Sequence, residues 1–148
     1  MNVSEFIPKD EVRSACKELG IRDWTQLSEP SVKMEEAQKI QSKIGAEAER
    51  ISTEAFRQGL EVELEHGLQF SDANVTNNHP ILTGMIVLAH LKEMLDYYER
   101  LEVAELEGDL LKAIRSGNPE KIRSVYRKLV AARQELAEQE ALWMEEIT

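Results

Sequence analysis

The chain has 148 residues, a length at which one hydrophobic core is the ordinary solution and a multidomain enzyme is excluded. Its composition, 42% hydrophobic and 31% charged with eight aromatic residues, is enough to build a core and unlike a disordered or disulfide-stapled chain. Eighteen Lys and Arg stand against 28 Asp and Glu, a formal net charge of −10, so a phosphate backbone is repelled at range and no nucleic acid partner is expected. Cys16 is the only cysteine, which excludes an internal disulfide or a thiolate metal cluster within one chain. The least polar stretch, residues 80–91, falls far short of the roughly 20 apolar residues of a membrane helix. The opening MNVSEFIPKDEV lacks the basic start and apolar run of a secretory signal, so no membrane association and a cytoplasmic location are expected.

The first helix is announced by Pro8, by Lys9-Asp10-Glu11 in its opening turn and by Gly20 as a stop, with Val12, Ala15, Cys16 and Leu19 as its inner stripe. Residues 21–30 read as a connector pinned by Trp24. From Ser31, taken as a cap, Val32, Ala37, Ile40, Ile44, Ala48 and Ile51 continue a helical stripe that Gly45 weakens. Ser52-Thr53-Glu54 looks like a fresh start, giving either a kinked helix or two helices meeting near residue 52, the second stopping at Gly67. GLQFSDANVTNNHP, residues 67–80, holds the side chains that satisfy turn backbone, so residues 67–79 are predicted as a structured loop. Pro80 then opens a helix with no strong breaker before Ser116-Gly117, about 36 residues or roughly 54 Å. Ser116-Gly117-Asn118-Pro119 combines a stop, a cap and a first-turn proline, and Ile122, Val125, Leu129, Leu136 and Trp143 should fold the tail back on that helix. No stretch alternates as a strand does. The prediction is an all-α helical bundle of about four to five helices in a single domain, 1–148, comprising N-terminal helices in 1–66, a loop in 67–79, one long helix in 80–116 and a C-terminal helix in 118–147 that closes a long antiparallel hairpin.

All three histidines fall within 25 residues. Glu63 and His66 form a Glu-x-x-His pair in one helix, and His90 and Glu93 form the reversed pair in the next. Such groups on inward faces are costly unless paired, hydrogen-bonded or metal-bound. Glu63, His66, His90 and Glu93 are therefore candidate ligands for a divalent metal, zinc, iron or manganese, with Asp96 and Tyr97 orienting them and His79 as an additional ligand. Glu-x-x-His is also the inward ligand pair of di-iron carboxylate bundles, a site that here needs further carboxylates from Glu61, Glu65, Asp96 or a second subunit. The alternative is a structural polar cluster in which His66 pairs with Asp96 or Glu93 to hold two helices in register. There is no phosphate-binding glycine loop, nucleophile elbow or catalytic Cys/His pair, so no catalytic residue is assigned and the sequence leaves open whether the chain is an enzyme.

The block from Phe56 to Glu102 contains FRQGLEVELEHG, then NVTN, then PILTGMIVLAHLKE, then DYYERL, in that order. It resembles the small bacterial family called domain of unknown function 5661, with a fainter echo in GIRDWTQL upstream. The resemblance includes Glu63, Glu65, His66, His90, Glu93, Asp96, Tyr97 and Tyr98, and it implies no activity. The chain departs from the pattern at His79, where an acid is usual, at Met85, where Lys is usual, and at Leu95, where Pro is usual, the last predicting a straighter helix after Met94. Two functions follow: metal binding through the His/Glu cluster, or a noncatalytic interaction or assembly module whose acidic C-terminal hairpin takes a protein partner or a second copy in a homodimer.

Overall fold

A computed structural model describes residues 6–145. Among them are seven α-helices and no strand, the all-α class expected. They are α1 (Lys9–Leu19), α2 (Met34–Ile44), α3 (Ala46–Glu49), α4 (Thr53–Gln69), α5 (Pro80–Glu93), α6 (Tyr97–Ser116) and α7 (Pro119–Glu145), with a single 3-10 turn over Trp24–Gln26. No helix is long and apolar enough to cross a membrane among the described residues. The described chain divides into two compact units between Glu93 and Met94, where the sequence suggests one domain.

In the first unit α2 packs on α4 and α5, α4 packs on α5, and α1 rests on the 3-10 turn and on α5. Trp24, Ile40, Phe56, Leu60, Leu64, Val12 and Val87 form its fully buried centre. Gly84 is where α5 comes closest: a Cβ there would meet Ile44 Cδ1 at 2.7 Å and Ile40 Cγ2 at 2.8 Å. The start of α2 is fixed by a buried acid. Glu36 is 3% exposed, and its carboxylate accepts from the Arg22 backbone N–H (3.1 Å), Arg22 Nε (2.9 Å), Arg22 Nη2 (2.7 Å) and the Lys33 N–H (2.9 Å). Burial pushes this carboxyl up, but the Arg22 guanidinium and the two backbone donors outweigh it and hold the group below its usual range. The helix thus begins at Met34 behind Lys33, later than the Ser31 cap suggests, because the Glu36 carboxylate closes on the Lys33 N–H.

Two further boundaries differ from the sequence reading. The stripe through Ile44 and Ala48 is not one helix: Gly45 takes φ +111°, open to glycine, and Gln41 Nε2 reaches past the interruption to donate to the Ala48 and Ile51 carbonyls. Ser52 then caps α4, its hydroxyl accepting from the Ala55 N–H at 3.1 Å. The long helix expected over 80–116 is likewise two helices. Its stripe ends at Leu91, Leu95 is 53% exposed, and the Tyr97 N–H turns back to the Met94 carbonyl while the Asp96 carbonyl receives the Arg100 N–H that starts α6.

The second unit is the predicted antiparallel hairpin, α6 against α7. Gly117 adopts φ +68° after Ser116, and Asn118 Oδ1 accepts from the Glu120 and Lys121 N–H groups at 3.0 and 3.2 Å. The ion pairs Arg133–Glu107 (2.8 Å) and Arg100–Glu140 (2.9 Å) cross between its two helices. α7 is described to Glu145, so the expected end at 147 lies outside the described residues.

Replacing Arg22 with Ala strands Glu36 without its counter-charge. The expected loss is about 3–5 kcal/mol of unfolding free energy, read from urea titrations.

Candidate functional site

Ser52 and the buried row Phe56, Leu60 and Leu64 orient α4 so that Glu63 and His66 fall on its flank, facing α5 and the loop that follows. In α5 the buried set Thr83, Gly84, Val87, Leu88 and Leu91 sets His90 on the matching flank. His90 Nδ1 lies 3.2 Å from Glu63 Oε1, which ties the two helices. His66 lines an adjoining cleft of about 280 Å³ with Glu63, Phe70, Asn74, Thr76 and Thr83.

The loop wall of this cleft, Ala73, Asn74, Val75 and Thr76, is held in shape by asparagine side chains. Asn74 Nδ2 donates to the Gly67 carbonyl (3.1 Å) and to Asn78 Oδ1 (2.8 Å), the Thr76 hydroxyl donates to Asn74 Oδ1 (3.1 Å), and the Asn78 N–H donates to that hydroxyl (3.2 Å). Asn77 and Asn78 take left-handed φ values of 47° and 62°, a conformation their short polar side chains tolerate better than most. Gly67 is part of this design. A Cβ there would collide with Asn78 Oδ1 and Asn74 Nδ2, so glycine serves close packing and α4 runs on to Gln69 rather than stopping at Gly67 as predicted.

The other candidates are placed elsewhere. Glu93, at the end of α5, and Glu65 are exposed. Glu61 accepts from the Val32 N–H (2.9 Å) and from Arg57 Nη1 (2.6 Å). In the second unit Asp96 pairs with Arg100 at 2.8 Å, and Tyr97 meets Tyr98 edge-on with ring centroids 5.2 Å apart. His79 stands at the start of α5: its carbonyl receives the Thr83 N–H at 2.9 Å and its Nδ1 faces the Leu82 N–H at 3.4 Å. Burial lowers its pKa below the ordinary value, opposed by the Glu11 carboxylate. Among the described residues no group of three or more His, Cys, Asp or Glu side chains is placed to hold a metal ion.

A family model described as Protein of unknown function (DUF5661) matches residues 12–107, well over half of the chain. The chain belongs to the DUF5661 family. The DUF5661 match runs from Val12 in α1 through Glu107 in α6, so it takes in the Arg22–Glu36 lock, the Glu63–His90 pair and the asparagine loop, and it extends on both sides of the block that carries the resemblance in sequence. No curated protein and no solved structure matches the chain. Asn74-Val75-Thr76 also spells a glycosylation acceptor, and its side chains serve loop hydrogen bonding instead; Asn78 and Thr83 carry no sequence signal of their own beyond the neighbouring run N-V-T-N.

Two measurements probe this region. Gly67→Ala should cost about 1–3 kcal/mol, as an overpacked site does, seen as a lower urea midpoint. For His79, whose folded pKa lies below its ordinary 6.5, the unfolded chain binds the proton more readily. Its contribution is complete above 6.5 and is lost as pH falls through the lower folded value. His79→Asn, which still caps but does not titrate, should therefore lose less stability than wild type between about pH 7.5 and about pH 5.

Proposed function

We propose that this DUF5661 protein is a noncatalytic helical assembly module, working in the cytoplasm, that associates with a protein partner through its α6–α7 hairpin. The observation that supports it most is the apolar surface of that hairpin: Leu111 is 61% exposed, Ile114 54%, Tyr126 52% and Val130 47%. Among the described residues of this unit the buried apolar ones are Tyr98, Ala113, Leu129 and Ala132. In this reading the Glu63–His90 contact is a register tie, which a charge-assisted hydrogen bond between neighbouring helices performs without any ligand. The lone thiol, Cys16, is buried and its pKa is pushed up by that burial, which suits a core position rather than a reactive one.

A second reading is favoured by the same contact. Glu63 and His90 approach across two helices with His66 on the adjoining cleft wall, so a divalent zinc, iron or manganese ion bound there by Glu63, His66 and His90, with Glu93 brought in by a rotamer change, is the metal-binding alternative.

Elemental analysis of tag-free protein after exposure to each metal separates the two. The module reading expects no stoichiometric metal in wild type, and a His90→Ala variant about 1–2 kcal/mol less stable. Near-stoichiometric metal that disappears in the His66→Ala/His90→Ala double variant would establish the second reading instead.

A further inference from the structure

We infer that the partner of the hairpin is a second copy of this chain, docked antiparallel through a two-fold axis that crosses the apolar patch near the α6–α7 turn. This rests on the assembly reading and names its occupant.

Four of the hairpin's exposed apolar side chains, Leu111, Ile114, Tyr126 and Val130, form one patch; Leu142, Trp143 and Met144 lie apart from it near the end of α7. On α6, Glu107, Leu111 and Ile114 follow one another at helical spacing, and on α7 Tyr126, Val130 and Arg133 do the same. The Arg133–Glu107 ion pair joins these two rows, so both border the same side of the hairpin. Leu111, Ile114, Tyr126 and Val130 thus lie together on the turn half of that side, and the ion-paired Glu107, Arg133, Arg100 and Glu140 occupy its open half. At their stated exposures the four offer roughly 400 Å² per copy, the apolar centre of an interface that takes about 800 Å² from each partner. A two-fold axis through such a patch is self-complementary: each copy covers the other's leucine, isoleucine, tyrosine and valine.

The orientation comes from charge. Between residues 110 and 130 the sequence places six Lys and Arg and a single acid, Glu120. Residues 96–109 hold six acids and one base, and 131–145 four acids and one base. The hairpin is basic at its turn and acidic along its open half. Turn-to-turn docking sets basic against basic. Antiparallel docking lays each basic turn beside the acidic half of the other copy, so each hairpin carries both charges that the other needs. No different partner need be supplied, and the product is a four-helix arrangement centred on the two patches, with Arg115, Lys121 and Arg123 at each turn lying toward Glu107 and Asp109 of the other copy.

Sedimentation of the full chain across concentration and salt tests this, with the Leu111→Glu/Val130→Glu double variant alongside, its helicity checked by circular dichroism and both proteins titrated with an apolar fluorescent dye. The expected result is a wild-type dimer whose dissociation constant rises with salt, and a helical double variant in which it rises at least about tenfold. A dimer strengthened by salt overturns the antiparallel arrangement, and one indifferent to the two glutamates overturns the patch. A wild type that stays monomeric overturns the second copy. In that case dye binding that the double variant loses leaves the hairpin as a face for another protein, whereas no dye binding removes the assembly reading as well.

Discussion

The first unit is organised around a charge that has left water. Glu36 is buried at the first turn of α2, and a carboxylate in that position is tolerable only while Arg22 and two backbone N–H groups surround it. Meeting that demand brings residues 21–33 against α2, and Arg22 also reaches the Ser31 carbonyl at 2.6 Å, so the connector has little freedom left. With α2 placed, Ile40 and Ile44 form the surface that α5 approaches, and only glycine at position 84 lets it come that near. The Glu63–His90 contact forms between helices already held by this packing.

What was legible in the sequence was whatever a local signal encodes. Gly20, Ser52 and the Ser116-Gly117-Asn118-Pro119 run all mark real ends, because caps and left-handed stops act through the nearest few residues. The split at Met94–Asp96 was not legible, since neither proline nor glycine stands there. The resemblance points the wrong way at this spot: Leu95 replaces the usual proline, yet the helix still ends before it. The reverse holds at Gly67, where a glycine that reads as a stop serves close packing against Asn74 and Asn78 instead.

The candidate site was half legible. Glu63 and His90 do meet, because helical spacing places them on flanks that α4 and α5 turn toward each other. Glu93 belongs to the same sequence motif but is exposed at the last turn of α5, and Glu61, which looked available, is occupied by Val32 and Arg57. Spacing along one helix says which residues share a side; it does not say which partners from elsewhere in the chain have already claimed them.

The asparagine loop also holds the segment before α1: the Ile7 N–H donates to the Val75 carbonyl at 2.9 Å, and Asn77 Nδ2 donates to the Ile7 carbonyl at 2.6 Å across a separation of 70 residues. A chain made from its N-terminus cannot form these two bonds until that loop has emerged. The α6–α7 hairpin, by contrast, closes on near neighbours and needs no such wait. During synthesis, then, the segment before α1 is secured only after a loop made 70 residues later has emerged, whereas the hairpin depends little on what came before it.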